Sequence, residues 1–362
     1  MKRELCSISC DDLVPSLSPI DDPYEVENIL RRVSQMSHTA KGRFPGENPV
    51  SFHSLEKKTS DYLVTLKTDG IRYMLVLLQR YEDGSPLAVM FDRKMKMYEV
   101  EVWAEESFFR EGLLMDGELT IDEENGVFLV FDILFERRWI GDQPFFYRME
   151  TYRSLIFHGD TSSDFLETEI LNQEKIVFYQ NYNNLKMIPK QFLDSSHVVS
   201  LWERRRFSPY KNDGVIFIEK DSFHTVGTSK NVLKWKIEHT LDVKLILEDG
   251  QDWKQMRKET FECLPVIVGY DGMWFDISKE DVLKQEDIHD MKCNLLWNDL
   301  VPFLKERNLI LECSCTIEEG VMFLNPLKER SDKSSPNSFM CFKSTLSDIS
   351  SQPCLDILMG RS

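Results

Sequence analysis

Short runs of β-forming residues, separated by Asp-Gly and Asn-Gly pairs, dominate the first half of the chain. Valine, leucine, tyrosine and phenylalanine fill these runs, which lie at 62–66, 73–78, 87–91 and 127–133. Pairs of this kind favour the tight turns that join neighbouring antiparallel strands. The pattern therefore predicts antiparallel β-sheet, with a further strand at 215–218.

Helices are predicted to flank this sheet. Asp22 is a typical N-cap, Pro23 suits the first helical position, and Glu25 completes a capping box. Apolar residues then recur with helical spacing over 26–33, which indicates one apolar face. Other helices are expected after Arg148 and near the end of the chain.

The chain is long enough for two domains, since its 362 residues exceed the usual length of one. A second set of short β-rich runs follows residue 236 and predicts a small barrel; it lies at 241–247, 264–268, 273–277, 309–315 and 321–324. The predicted fold class is α+β. Its parts are a first domain of antiparallel β-sheets with flanking helices over 1–238, a C-terminal β-barrel domain over 239–345 and a tail over 346–362.

The charge of the chain limits the ligands that it can bind. A formal net charge of −17 disfavours non-specific binding along a nucleic-acid backbone, because that affinity comes from lysine and arginine. Phosphate chemistry would therefore need cations concentrated in one place. We find no apolar run of membrane-spanning length and no secretory signal, so no membrane partner is expected.

A lysine in a distinctive element at 67–72 is the first candidate for chemistry. Lys67 ends a β-run and is followed by an Asp-Gly turn and then by Arg72. A lysine amine that attacks an α-phosphate forms a phosphoamide, which stays activated for a second acceptor. Because lysine is mostly protonated at neutral pH, Arg72 or a metal ion must promote loss of its proton. The alternative is an ordinary hairpin with a solvated lysine.

Three acidic residues next to β-runs could hold that ion: Glu118, Asp132 and Asp213. Carboxylates with substrate phosphate and water are the ligands that magnesium prefers. Each Asp-Gly pair could equally be a simple turn when it is taken singly.

Two later basic elements could bind phosphate. Lys234 and Lys236 lie two residues apart in a β-run, so they share one face. Arg330, Lys333 and Asn337 form a late cluster that could neutralise a leaving pyrophosphate. The alternatives are a strand with a solvated basic face and a charged loop.

Taken in order, these segments resemble the motifs of the covalent nucleotidyltransferase superfamily, and most closely those of its mRNA capping guanylyltransferase branch. The matching segments are LKTDGIR, DRKMKMY, MDGELT, FLVFDIL, NDGVIFIE, VLKWK and RSDKSSPN, preceded by FPG and NPVS. They span 44–337. The resemblance implies a nucleotidyltransferase domain at 1–238 and an OB-fold barrel at 239–345.

The resemblance also implies roles for individual residues. The catalytic set is Lys67 as the nucleophile, which carries GMP, with Arg72 and with Lys234 and Lys236 on the α-phosphate. Glu118 and Asp213 would bind Mg²⁺ or Mn²⁺. The other residues would bind GTP: Thr68, Asp69, Gly70, Arg93, Glu118, Phe131, Lys190, Asp213, Arg330, Asp332 and Lys333.

Within that set, Phe131 would stack on guanine, and Lys190 or a nearby side chain would read the base O6. Arg93 would contact the ribose or order the pocket. Arg330, Asp332 and Lys333 would come from a mobile OB-fold domain that closes over the β- and γ-phosphates. Closure would bring cations to the charge that develops on pyrophosphate.

The partners implied by the resemblance are GTP and the 5′-diphosphate end of an RNA, which would receive GMP to form a cap. An RNA triphosphatase and a cap methyltransferase would be other chains, and the C-terminal tail of RNA polymerase II would be a further partner. The expected location is the nucleus, or the cytoplasm or a virus factory for a viral protein. Two alternatives stay open: an ATP-dependent polynucleotide ligase of the same superfamily, and a catalytically inactive nucleotide-binding module.

Overall fold

The computed structural model describes most of the first two thirds of the chain and parts of the remainder. The described residues are 17–52, 59–122, 125–156, 176–178, 185–236, 238–246, 267–270, 273–276, 292–295, 308–318, 321–330, 333, 335–337 and 339–351. They fall into two compact units, of which the first runs to Trp235 and the second contains Phe52 and continues from Lys236. The predicted domain limits at 238 and 345 stay predictions.

The elements of the first unit alternate between strands and short helices. The helices are α1 (Pro23–Ser37), α2 (Glu106–Glu111), α3 (Phe145–Leu155) and α4 (Val198–Glu203). The strands are β1 (Ser18–Pro19), β2 (Glu47–Ser51), β3 (Tyr62–Thr68), β4 (Ile71–Gln79), β5 (Pro86–Asp92), β6 (Met97–Glu99), β7 (Val102–Ala104), β8 (Leu113–Asp122), β9 (Asn125–Glu136), β10 (Arg138–Trp139), β11 (Ile176–Phe178), β12 (Leu185–Pro189), β13 (Leu193–Asp194), β14 (Asn212–Glu219) and β15 (Gly227–Lys236).

Helix α1 confirms the prediction from its N-terminal signals. The Asp22 side chain accepts a hydrogen bond of 2.8 Å from the Glu25 backbone N–H, which satisfies a donor that the first turn leaves unpaired. Ile29 and Val33 are buried on its apolar face. The helix predicted to follow Arg148 begins earlier, at Phe145, so Arg148 lies within α3.

Two sheets make up most of the first unit. The larger has the order β1-β6-β5-β4-β8-β9-β10, with β12 beside β9, and the smaller has the order β13-β3-β14-β15-β2; β7 pairs separately with β11. The predicted antiparallel pairing is confirmed for most neighbours, but β12 with β9 and β15 with β2 are parallel. Strand β4 is buried on both faces, which explains its unbroken apolar run.

The Asp-Gly turn after Lys67 joins the two sheets. Strand β3 belongs to the smaller sheet and β4 to the larger one, so the alternative of an ordinary hairpin is wrong. A Cβ atom on Gly70 would lie 2.4 Å from the Leu119 carbonyl oxygen, so the backbones approach too closely for any other residue. The element therefore places Lys67 and Arg72 at the junction of the sheets.

The second unit contains one sheet and a helix among its described residues. Its elements are β16 (His239–Ile246), β17 (Ile267–Tyr270), β18 (Met273–Asp276), β19 (Lys292–Leu295), β20 (Asn308–Glu318), β21 (Val321–Glu329) and α5 (Phe339–Ser351), with strand order β18-β17-β16-β20-β21-β19. The described strands form an open sheet, so the OB-fold barrel stays a prediction; 264–266, 247 and 277 lie outside the described residues. None of the described helices has the length and apolar character needed to cross a membrane.

Candidate active site

Lys67 and Asp213 meet at the end of the smaller sheet. The Lys67 Nζ atom donates a hydrogen bond of 2.7 Å to Asp213 Oδ1, and both side chains keep part of their surface exposed. Asp213 is the extra residue of a β-bulge, because Asn212 pairs with Thr68 and Gly214 pairs with Lys67. The bulge aims the carboxylate at the amine, so the predicted nucleophile and the predicted metal-binding acid are brought together.

Lys190 joins this cluster from the larger sheet. Its Nζ atom donates a hydrogen bond of 2.8 Å to Thr68 Oγ1, and the residue is buried. Two hydrogen bonds fix the backbone of Lys190: its N–H donates to the Val130 carbonyl at 2.7 Å, and the Lys190 carbonyl accepts from the Tyr152 hydroxyl at 3.1 Å. Burial, opposed by Glu118, lowers the pKa of Lys190 to about 8.

Arg72 is held in place by Asp116 and by the segment that precedes the nucleophile. Its Nε atom donates to Asp116 Oδ1 at 2.9 Å, its Nη2 donates to the other oxygen, and its Nη1 donates to the Glu47 carbonyl at 2.5 Å. The guanidinium also lies over the rings of Phe44 and Phe131, at 5.5 and 5.3 Å from their centroids. Arg72 therefore helps to hold the Phe131 ring in place.

Glu118 supplies a second carboxylate near the nucleophile. It pairs with Arg72 across β8 and β4. Burial raises the pKa of Glu118, and the negative charge of Asp213 acts in the same direction, while nearby cations oppose both. Two carboxylates that influence each other's charge, near Lys67 and Lys190, fit the ligand preference of Mg²⁺.

Asp69 and Arg93 border the same cluster. The Asp69 backbone N–H donates to the Lys211 carbonyl at 2.9 Å, which fixes the turn after the nucleophile. Arg93 follows β5 in an exposed turn and interacts electrostatically with Arg72 and Glu118. The turn thus adjoins the nucleophile, and Arg93 lies near Arg72 and Glu118.

The paired lysines of β15 lie in the strand next to β14. Lys234 and Lys236 are both partly buried and, because side chains alternate along a strand, they share a face. Trp235 is buried on the opposite face. The strand therefore offers two cations on one side, as its sequence predicts.

In the second unit, Arg330 and Lys333 converge on Asp242. Arg330 Nη1 donates to Asp242 Oδ1 at 3.0 Å and to Glu312 Oε2 at 3.4 Å, and Lys333 Nζ donates to the other oxygen of Asp242. The two cations are thus held together by one buried carboxylate. Asp332 lies outside the described residues, and the role of this cluster towards pyrophosphate stays a prediction.

A buried ion pair explains Asp132 differently from the sequence-based interpretation. Arg148 donates to both of its carboxylate oxygens, at 2.8 and 3.0 Å, and is itself fully buried. Although burial opposes it, Arg148 together with His224 lowers the pKa of Asp132 to about 2. Asp132 is therefore the partner of Arg148, and its expected role as a metal ligand stays a prediction.

His224 and Glu47 complete this buried network, and sequence reasoning missed both. His224 Nε2 donates to the Pro45 carbonyl at 2.8 Å, and its Nδ1 lies 3.6 Å from Glu47 Oε2 and 3.8 Å from Asp132 Oδ2. These carboxylates raise the pKa of His224 against the effect of burial. The three side chains could geometrically hold a metal ion. Arg148 already neutralises Asp132, however, and a protonated imidazole fits the remaining charge.

Comparisons with known proteins show which family the chain belongs to. Residues 11–238, more than half of the chain, match the family described as mRNA capping enzyme, catalytic domain. The mRNA-capping enzyme subunit alpha of Schizosaccharomyces pombe is 28% identical over 352 residues, which are 92% of this chain and 82% of that protein. The mRNA-capping enzyme of Mus musculus is 24% identical over 91% of this chain, which spans only 52% of the mouse protein.

Other curated relatives are also longer than the matched region. The chain spans 54% of the mRNA-capping enzyme subunit alpha of Neurospora crassa, at 28% identity. Among solved structures, a mycobacterial DNA ligase D complexed with ATP aligns over 80% of this chain and 97% of that chain, with 12% identity and a TM-score of 0.38. A likeness of that degree carries no weight for function. The family match over residues 11–238 does, and this chain belongs to the mRNA capping enzyme family of nucleotidyltransferases.

Proposed function

We propose that this protein is an mRNA guanylyltransferase, which moves GMP from GTP to the 5′-diphosphate end of RNA through a lysyl-N-GMP intermediate on Lys67. The observation that carries the proposal is the Lys67 amine, held 2.7 Å from Asp213 at the junction of two sheets. Membership of the capping enzyme family supports the same chemistry. The curated relatives are named for mRNA capping.

The first half-reaction makes one bond and breaks one. After its ammonium loses a proton to solvent, Lys67 Nζ attacks the α-phosphorus of GTP; the P–N bond forms, the bond to pyrophosphate breaks, and the nitrogen releases a second proton to solvent. Asp213 orients the amine before attack. Glu118 and Asp213 would hold Mg²⁺ or Mn²⁺, which supplies charge neutralisation for the triphosphate when it is bound.

The second half-reaction regenerates the enzyme. A terminal phosphate oxygen of the RNA diphosphate attacks the same phosphorus, the P–N bond breaks, and the Lys67 nitrogen takes up a proton from solvent to become an amine again. Lys234 and Lys236 would stabilise the charge on the α-phosphate in both steps. Arg330, Asp332 and Lys333 would serve the departing pyrophosphate in the first.

Lys190 is the best candidate for reading guanine. Its buried Nζ is a donor that lies 2.8 Å from Thr68 Oγ1, close to the nucleophile in sequence and space. Guanine presents an acceptor, O6, where adenine presents an amino group. An amino group placed against Lys190 would leave two donors facing each other, and a site that loses a buried hydrogen bond rejects the wrong base strongly.

Label transfer from α-³²P nucleotides tests the function. With Mg²⁺ and GTP, the denatured protein should retain label that is acid-labile and alkali-stable, and Lys67→Ala should abolish it. Lys41→Ala, a change of an exposed lysine in a turn outside these motifs, is the matched control and should label normally. Labelling by ATP in place of GTP would indicate a polynucleotide ligase. GTP binding without label transfer would indicate an inactive nucleotide-binding module.

The same function implies the partners of the enzyme. An RNA triphosphatase must produce the diphosphate end, and a cap methyltransferase must act on the product; we assign both to other chains. Recruitment by the C-terminal tail of RNA polymerase II and a nuclear location belong to this proposal.

A further inference from the structure

A strongly basic segment follows helix α4. Between residues 204 and 211 the chain has four cations, Arg204, Arg205, Arg206 and Lys211, and no acidic residue. The whole protein carries a net charge of −17, so this segment runs against the overall balance. Arg204, Arg206 and Lys211 are exposed. Such local concentration is what binding of a polyanion by an acidic protein requires.

Aromatic rings are interleaved with these cations. Phe207 is 73% exposed, and the Arg206 guanidinium carbon lies 4.9 Å from the centroid of its ring. Arg205 lies 3.9 Å from the ring centroid of Trp202, which in turn packs at 5.1 Å against Trp235. The segment thus combines two packed tryptophan rings with one largely exposed phenylalanine ring.

The cations of this segment keep their charges available. Across the part of the chain that the structure describes, none of Arg204, Arg205 and Arg206 forms an ion pair with a carboxylate. The hydrogen bond from Arg205 Nη1, of 2.9 Å, goes to the Trp202 carbonyl. By contrast, Arg72 and Arg148 are fully engaged by carboxylates.

Hydrogen bonds join the segment to the nucleophile. The Asn212 side-chain amide donates to the Arg205 carbonyl at 3.3 Å, and Asn212 directly precedes Asp213. The Lys211 carbonyl accepts from the Asp69 N–H at 2.9 Å. The basic segment is therefore anchored on both sides of the Lys67–Asp213 pair.

We infer that residues 202–211, which we call the arginine segment, bind the first nucleotides of the acceptor RNA behind its diphosphate end. The inference rests on the proposed function. Arg204, Arg206 and Lys211 pair with backbone phosphates, and Phe207 stacks on a base, the combination typical of sites for single-stranded nucleic acid. A phosphorylated peptide would also meet the cations, but its phosphate would make no use of the exposed Phe207 ring.

The test compares two exposed arginine–aromatic pairs of the same unit. Arg206→Gln with Phe207→Ala removes one charge and one stack from the arginine segment. The matched control is Arg31→Gln with Tyr81→Ala. It removes one charge and one ring from a second exposed pair, in which the guanidinium carbon of Arg31, on helix α1, lies 5.9 Å from the centroid of the Tyr81 ring. Neither pair belongs to the machinery assigned to lysyl-GMP formation.

The expected result is a split between the two half-reactions. Labelling of Lys67 by GTP stays at the wild-type rate in both variants. The KM for a 5′-diphosphate RNA of about 20 nucleotides rises about tenfold or more in the arginine-segment variant alone, the size expected for one stack. Its salt dependence becomes shallower, because one phosphate contact is lost.

Equilibrium binding of fluorescent RNA, measured by anisotropy, decides the inference independently of catalysis. Equal RNA affinities in the two variants would overturn it, as would a variant that loses phosphoserine peptide binding and keeps RNA binding. A wild-type protein that forms no lysyl-GMP would overturn the proposed function instead. Anisotropy would then still show whether the arginine segment holds RNA.

Discussion

Replacing Arg148 with methionine should destabilise the first unit strongly, because it would strand a buried charge. Arg148 has no exposed surface and donates to both oxygens of Asp132, at 2.8 and 3.0 Å. It also donates to the carbonyls of Gln143, at 2.6 Å, and Ser222, at 3.1 Å. Methionine fills a similar volume and satisfies none of these groups.

The size of the stability loss follows from the Asp132 carboxylate, which stays buried after Arg148 is removed. Breaking a buried ion pair by removing one partner costs about 3–5 kcal/mol, since the other charge stays buried without compensation. His224 lies 3.8 Å from Asp132 Oδ2 and offers a second cation, which favours the lower end of that range. For a unit of this size the loss corresponds to a fall in Tm of about 6–20 °C.

Urea unfolding followed by tryptophan fluorescence measures the loss on the full chain. Arg153→Met is the control, because its ion pair with Glu150 on the same helix is partly open to solvent and should be worth less than about 1 kcal/mol. The double variant Arg148→Met with Asp132→Leu should lose clearly less than the sum of its single variants, since it buries no lone charge. Additive losses, or an Arg148→Met loss as small as the control, would show that the pair is hydrated and refute the reasoning.

Three further predictions concern the same unit. Because the pKa of His224 is raised in the folded protein, protonation of His224 stabilises the fold. This stabilisation is present below about pH 6.5 and is lost as pH rises through the folded pKa. His224→Gln should therefore flatten the fall in stability measured between pH 5.5 and 8.5. Gly70→Ala should abolish label transfer and destabilise by about 1–3 kcal/mol, because its Cβ would meet the Leu119 carbonyl; normal labelling would argue against a tight turn. Lys190→Met should raise the KM for GTP and narrow the preference for GTP over ATP in the labelling assay, whereas an unchanged ratio would place guanine recognition elsewhere.

Much of the fold is legible because its signals are local. Helix α1 is announced by Asp22 and Pro23, and the strands by β-rich runs between turn residues. The same signals do not say which sheet a strand enters. The Asp-Gly pair at Asp69 and Gly70 has the composition of a hairpin turn, yet the strands before and after it belong to different sheets.

The residues of the candidate site also differ in whether local sequence reveals them. Lys67 and Asp213 carry motifs that can be recognised one residue at a time, and the structure brings them together. Arg148 and His224 carry no such signal, because neither stands in a motif that sets it apart from the other polar residues around it. Their importance depends on long-range packing against Asp132, which no local pattern encodes.

The position of the nucleophile depends on two departures from regular strand geometry. In a regular antiparallel ladder, opposed residues share a face and side chains alternate between the two faces of the sheet. The direction of the Asp213 side chain would then depend only on its pairing partner. The bulge in β14 inserts Asp213 as an extra residue opposite the Lys67 strand, so its carboxylate can turn towards the amine. Gly70 then lets the chain pass under the Leu119 carbonyl into the second sheet, where Arg72 is clamped by Asp116. The amine is thus held at a rigid edge between two sheets, as a lysine that must meet a phosphate in one defined direction requires.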